Sequence, residues 1–475
     1  MTHDYTGPAL CALTATETVD LLDKKEVSPL EVLDAALERI AAVEPAINAM
    51  PTICADRARE RAKTLKKGDE AVWLAGLPIA IKDLMAVEGV RSTWGTKALA
   101  DFIPDASDPL VERLEARGGV VIGKSNTPEM GAGGNTFNEV FGRTRNPWNT
   151  ALNPAGSSGG AAAALATGEV WLAHGSDLGG SLRTPAAYCG VVGLRPSPGR
   201  AGGGGATNAY SHLGSQGPMA RTAEDCALFL DAMTGFERRQ PLTFDAPAVS
   251  FREALRRSEP PKRVAFAPDL GGYAPVEAEV RDLLAAAMTR LQGLGTDVVE
   301  AAPPTDKLNE SYLTLRAQAH ATGPMQYPES VTRHYKKTLR ENAQVGLALT
   351  IQQIIDAERN RSALMLKVER FLRDYDAIAC PVVGIAAQAS EIEFPTSVAG
   401  VPTPHYMDWL RFASFASVLG LPAISVPIGI TANGSPMGIQ FIGQPRGEAG
   451  LLAIAKAMES VTEGFGKPID PVTPS

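Results

Sequence analysis

Apolar positions along the chain fall into two rhythms. From about Ser28 to Lys67, Leu30, Leu33, Leu37, Ile40 and Val43 recur near helical spacing, and Ser28 before Pro29 supplies a cap and a first-turn proline. This predicts an N-terminal helical layer. After Gly68, short apolar runs bounded by Gly, Pro and charge take over. Leu77 to Ile81 and Val120 to Gly123 have the texture of buried strands, with a helix-like Pro109 to Arg117 between them. The alternation continues to about residue 235 and predicts an α/β fold with a mixed, largely parallel central sheet covered by helices on both faces.

Residues 237 to 262 are charged, Pro-rich and poorly periodic, as an exposed connection would be. Val264 to Ala267 restarts a strand. A helix carrying Val276, Val280, Leu283, Leu284, Ala287 and Leu291 follows, then the strand-like Asp297 to Val299, making one βαβ-like unit. Residues 305 to 375 are mostly helical in pattern, and Ala377 to Cys380 and Ala423 to Pro427 return to the main sheet. The expected organisation is one large domain. It comprises a helical layer (1–70), a core (71–235), a connection and βαβ-like unit (236–304), a helical segment expected to shape the substrate pocket (305–375) and a C-terminal return (376–475).

Composition narrows the function classes. The 475 residues are 44% hydrophobic and 21% charged, enough for a self-sufficient core, and the net charge of −8 with no basic cluster argues against a nucleic-acid partner. Cys11, Cys54, Cys189, Cys226 and Cys380 are scattered, unlike a disulfide framework or a zinc site, so reduced thiols and a cytoplasmic location are expected. No secretory pattern is present. The apolar stretch Phe412 to Ile430 is interrupted by Ser414, Ser417, Gly420, Pro422, Ser425 and Pro427, which suits a helix end plus strand rather than a membrane span.

Two blocks carry candidate chemistry. NPAGSSGG (Asn153 to Gly160) opens the Ala-rich AAAALATG, so Ser157 and Ser158 stand where a helix begins; the plain alternative is a helix cap. GSDLGGSLRTP (175 to 185) places two glycines before Ser181, where a carbonyl oxygen could approach backbone N–H donors; the alternative is a tight turn. A serine nucleophile needs a base. Of the six histidines, His174 alone is near in sequence, and its strand-like setting EVWLAHGS favours a packed core role. Lys82 leaves the end of the apolar GLPIAI, and a buried lysine loses its proton near neutral pH, whereas a solvated one does not.

Two further patterns are weighed against their context. Gly118 to Ser125 satisfies GxxxxGK[ST], but Val120 to Ile122 read as the strand itself, so a nucleotide-binding module is a minor alternative. Gly156 to Gly160 satisfies GxSxG around Ser158, but it follows a turn-rich loop where a nucleophile elbow should follow a strand. The glycine cluster Gly202 to Gly205, with Asn208, Tyr210 and His212, is a surface loop or a substrate entrance. No motif calls for a metal or cofactor.

GLPIAIKD, NPAGSSGG and GSDLGGSLRTPAA together resemble the amidase signature family, with 75 positions from Lys82 to Ser157 and 24 from Ser157 to Ser181. The likeness runs from about residue 10 to 460 and includes IGKSNTPE, RNPWN, GLRPSPGR, LPAISVPIG and MGIQFIGQP. It implies the amidase signature fold and a catalytic triad of Lys82, Ser157 at an unusual cis peptide, and Ser181 as nucleophile. It implies oxyanion donors from the backbone of Leu178, Gly179, Gly180 and Ser181, and supporting roles for Ser158, Asp177 and Arg183. The expected activity is hydrolysis of a small-molecule amide through an acyl-enzyme by a monomer or homodimer with no nucleic-acid or membrane partner. Ester and carbamate turnover are possible side activities. The alternatives are an amidotransferase component that passes ammonia to aminoacyl-tRNA and an α/β-hydrolase using Ser158.

Overall fold

A computed structural model describes residues 4–67, 72–202 and 209–474. Gly203 to Gly205 and Asn208 of the glycine cluster therefore lie outside the described residues.

Eleven strands form one sheet. In spatial order they are Thr52–Ile53, Val120–Ser125, Pro78–Lys82, Leu172–Asp177, Ser215–Ala220, Val192–Arg195, Ala423–Ile430, Pro436–Gly443, Ala377–Pro381, Arg263–Phe266 and Asp297–Glu300. The expected mixed α/β sheet is present, and its parallel pairs are gathered towards the two flanks. Pro78–Lys82 runs parallel to both its neighbours, and so does Arg263–Phe266. The pairs between these groups are antiparallel, as is the edge pair Thr52–Ile53 with Val120–Ser125. Connection length explains the division. Helices Pro109–Ala116, Gly159–Thr167 and Ala278–Gln292 bridge the parallel strands, whereas Ala423–Ile430 and Pro436–Gly443 are joined by a short turn that permits only antiparallel pairing.

The N-terminal layer opens with the helices Ala9–Ala12 and Ala15–Asp23, and its long helix starts where Ser28 and Pro29 predict. Ser28 and Glu31 form a reciprocal capping box, and Val32, Leu33, Ala36, Ile40, Val43 and Ile47 make the buried stripe of the helix Pro29–Ile47. That helix ends at Asn48, left-handed at φ 54°, and the edge strand Thr52–Ile53 separates it from the helix Ala55–Thr64. Helix Gly159–Thr167 has every residue buried, which its run of alanines permits, and it touches the sheet and the helix Arg183–Cys189.

Between residues 305 and 375 stand the helices Leu308–Thr322, Lys337–Leu347 and Ile351–Leu372. The first packs against the other two and against Arg411–Leu419. Among the described residues no helix is long and apolar enough to cross a membrane.

Candidate active site

The strand Pro78–Lys82 is buried along its whole length, so its apolar sequence carries the Lys82 side chain into the interior. Lys82 is fully buried, and its Nζ lies 2.6 Å from Ser157 Oγ, 2.9 Å from Ser158 Oγ and 3.1 Å from Ser176 Oγ. All three of these partners are hydroxyls. Burial lowers the pKa to about 7, opposed by the negative charge of Asp177. The amine is thus substantially unprotonated at neutral pH.

Ser157 follows a cis peptide bond from Gly156, as the family resemblance implies. Ser158 begins the helix Gly159–Thr167 and is completely buried. Ser181 stands at the turn after Gly180, whose φ of +99° is in the region glycine tolerates. Ser157 and Ser181 both line a cavity of about 290 Å³, and the Ser181 carbonyl accepts the Ser158 N–H at 3.2 Å. The hydrogen-bonded chain from Lys82 reaches Ser157; Ser181 shares that cavity wall.

Asp177 fixes the turn that presents Ser181. Its carboxylate accepts from the Gly180 N–H at 2.9 Å, the Leu182 N–H at 3.2 Å, and Arg183 through Nε and Nη2, both at 2.9 Å. Arg195 Nη1 adds a contact at 3.3 Å and also donates to the Asp177 carbonyl. Burial alone would raise the carboxyl's pKa; the Arg183 charge and hydrogen bonds, with Arg195 behind them, instead hold it far below the usual carboxylate range. Arg183 also reaches Gln440, tying the turn to the neighbouring hairpin strand.

The Gly180 N–H is thereby engaged with Asp177, a departure from its expected place among the oxyanion donors. The N–H groups of Leu178, Gly179 and Ser181 have no acceptor among the described residues. A Cβ on Gly179 would lie 2.5 Å from the Tyr312 hydroxyl, so any side chain there would have to displace Tyr312.

His174 occupies the packed position its surroundings predict. It is fully buried, accepts the Lys82 backbone N–H at Nδ1 over 3.4 Å, and pairs through Nε2 with Gln216 at 2.8 Å. Burial lowers its pKa to about 3, so it is neutral. Ser158 does not line the cavity and has no histidine partner among the described residues, which removes the elbow arrangement. Gly123, Lys124 and Ser125 lie within a strand, not a loop, and Lys124 Nζ is taken by Asp83, the Met85 carbonyl and Ser92. A phosphate-binding loop is therefore excluded. Tyr210 is exposed and lines, with His212, a separate hollow; their neighbour Ser211 lines the main cavity.

Sequence reasoning missed Ser176 and Arg195 as parts of this site. Ser176 had a signal: alternation along the strand Leu172–Asp177 puts it on the same side as His174, and both touch Lys82. Arg195 sits in the quoted GLRPSPGR, but its partner Asp177 is far in sequence. The outer wall, with Met130, Arg316, His320, Tyr406, Met407 and Leu410, comes from three distant segments; Arg316 and His320 lie in the helical segment expected to shape the pocket, but none of the six residues had a local signal of its own.

The chain belongs to the amidase family, whose model matches residues 31–452, and it is an amide hydrolase of the amidase signature class. It is 33% identical over 459 residues to an acylamidase of Rhodococcus erythropolis, covering 94% of this chain and 95% of that one. It is equally 33% identical, over 480 residues, to a glutamyl-tRNA(Gln) amidotransferase subunit of Moorella thermoacetica, covering 95% and 97%. Among solved structures it resembles a bacterial aryl acylamidase of the amidase signature enzymes, with a TM-score of 0.85, 28% identity, and coverage of 95% and 96%.

Proposed function

We propose that this protein is a stand-alone amidase in which Ser181 is the nucleophile, Ser157 the proton relay and neutral Lys82 the base. The observation that carries the reading is the buried Lys82 amine, whose hydrogen-bond partners among the described residues are hydroxyls, one of them on the wall of the cavity that holds Ser181. Lys82 takes the Ser157 proton as Ser157 takes that of Ser181, and Ser181 Oγ adds to the amide carbonyl. The Leu178, Gly179 and Ser181 N–H groups receive the oxyanion. Collapse breaks the C–N bond while the proton returns through Ser157 to nitrogen, releasing ammonia or an amine. Water activated by the same relay then cleaves the Ser181 ester. Esters and carbamates fit the same sequence of steps.

Asp177, Arg183 and Arg195 act by positioning the turn, and Ser158 and Ser176 by orienting the Lys82 amine. Five unpaired cysteines fit a cytoplasmic enzyme, working as a monomer or homodimer. A fluorophosphonate label followed by peptide mass spectrometry tests the nucleophile: modification of Ser181, abolished in Ser181→Ala, is expected, and modification of Ser158 instead overturns the assignment.

The similarity to amidotransferase subunits supports a second reading, in which the same chemistry serves partner subunits. Release of ammonia from simple amides by the isolated chain, at rates unchanged by any added partner, favours the stand-alone enzyme.

A further inference from the structure

We propose that Arg316 recognises a carboxylate on the substrate, so that the amides this enzyme takes carry a negative charge on the acyl or the amine part. This rests on the amidase reading of the cavity and adds the substrate class. Arg316 comes from the helix Leu308–Thr322, is only 3% exposed, and lines the same cavity as Ser157 and Ser181.

Among the described residues, every polar partner of its guanidinium is neutral, including the Tyr312 phenol, whose pKa burial raises. Arg316 Nη1 donates to Asn342 Oδ1, an amide held in place because its nitrogen donates to the Thr338 carbonyl at 2.7 Å. Arg316 Nη2 donates to His320 Nε2 at 3.3 Å. His320 Nδ1 lies 2.9 Å from the Arg316 carbonyl and must donate to it, which leaves Nε2 as the acceptor and the ring uncharged. Burial, then the Arg316 charge, lowers the His320 pKa to about 3. The Tyr406 ring lies 4.9 Å from the guanidinium carbon and contributes a face, not a charge.

No carboxylate among the described residues forms an ion pair with Arg316, and those in the vicinity are engaged elsewhere: Glu129, next to Met130 of the wall, accepts the Lys336 backbone N–H at 2.7 Å. Asp177, on the same cavity wall, is matched by two arginines. Glu341 pairs with Lys337, Glu393 with Lys336 and Asp408 with Arg411. The segment Gly203 to Asn208, beside Ser211 in sequence, contains no acidic residue. A buried cation without an anion is costly, and removing its water without supplying a counter-charge is an arrangement that a bound anion would complete. A guanidinium is also the side chain whose fork matches a carboxylate in two parallel hydrogen bonds. Leu84, Met130, Leu178, Met407 and Leu410 add apolar surface to the same cavity, suited to carbon between the amide and the charge.

The test compares matched pairs: succinamate against butyramide, with the charge on the acyl part, and N-acetylglycine against N-propylacetamide, with the charge on the amine part. The expected result is that the wild-type enzyme prefers the charged member of at least one pair by about 100-fold in kcat/KM, mainly through KM. Arg316→Gln should bring that ratio to about 1, and Arg316→Lys should restore part of it. A wild-type ratio of 1 or below in both pairs overturns the inference, and so does an Arg316→Gln variant that slows both members equally, the mark of a structural role. Calorimetric titration of the Ser181→Ala protein with succinate and with N-acetylglycine separates this claim from the amidase reading. Arg316-dependent binding without turnover by the wild type supports the recognition site while rejecting the enzyme assignment. Turnover of the neutral amides with no carboxylate binding does the reverse.

Discussion

Two buried lysines stand on neighbouring parallel strands, and the proposed mechanism uses only one of them as a base. Lys82 and Lys124 are both fully buried, and Ile81 is the register partner of Lys124. Lys124 Nζ has a carboxylate at 2.9 Å, Asp83, together with the Met85 carbonyl and the Ser92 hydroxyl. Burial lowers its pKa, but the Asp83 charge and hydrogen bond work against that loss. Lys82 meets three hydroxyls and feels Asp177 only as a charge already balanced by two arginines. Depth of burial therefore does not distinguish the two amines. The presence or absence of a carboxylate in the first layer of contacts does.

Substitution at the two positions should break the comparison cleanly. Lys82→Met is expected to reduce kcat/KM by about 10³-fold or more, the scale of a lost general base, while leaving thermal stability equal to or above that of the wild type because no carboxylate is stranded. Amide turnover near the wild-type rate in the folded variant would remove Lys82 from the mechanism. Lys124→Met should do the opposite. It leaves Asp83 buried without its cation and is expected to destabilise the protein by about 3–5 kcal/mol in urea unfolding. Activity per folded molecule should fall less than for Lys82→Met; an unchanged midpoint would show that the pair is not structural.

Asp177→Asn lies between these in effect on rate. Losing the charge leaves Arg183 and Arg195 facing a neutral amide and slackens the Ser181 turn, so a fall of about 10²-fold in kcat with little change in KM is expected from steady-state kinetics. A change confined to KM would argue that Asp177 contacts substrate rather than holding the turn.

The pH dependence sharpens the contrast further. Turnover at low substrate should climb with pH and level off above an apparent pKa of about 7 if the proposed base, the unprotonated Lys82 amine, acts in the free enzyme. The same group makes a signed contribution to stability: its folded pKa lies below the 10.5 of an exposed lysine, so between about pH 7 and 10.5 the unfolded chain binds the extra proton. From this residue, stability therefore rises with pH across that window. An acid limb that stays in place when Lys82 is replaced, measured on residual activity, would assign the titration to another group. The smallest effect expected is that of Ser176→Ala, which removes one of three hydroxyls at the amine and should lower kcat by about 10-fold or less.

How far the sequence disclosed these arrangements depended on distance along the chain. The strand end at Lys82 was legible because GLPIAI is a short, wholly apolar run, and the two serine blocks because their glycines and alanines are local. The strands Val192–Arg195 and Ser215–Ala220 were not singled out. The second contains Gly217 and Pro218, which weaken any strand pattern, and it is held by its place between two other strands rather than by its own residues. Ser157 and Lys82 are 75 positions apart, so their 2.6 Å contact could be inferred only through the family likeness. The helical segment 305–375 is expected to shape the substrate pocket, but its periodicity announces helices and does not say which residues, such as Arg316, face the cavity.

The stitching of Asp177 to two arginines and two backbone amides bears on how this enzyme could be retargeted. A floor held by five interlocking contacts tolerates little tinkering, for each change loosens several bonds at once. The helix Leu308–Thr322 lines the same cavity and touches that floor at Tyr312, so a redesign of acceptable substrates belongs further along it, at Arg316, Ala319 and His320, with Tyr312 kept.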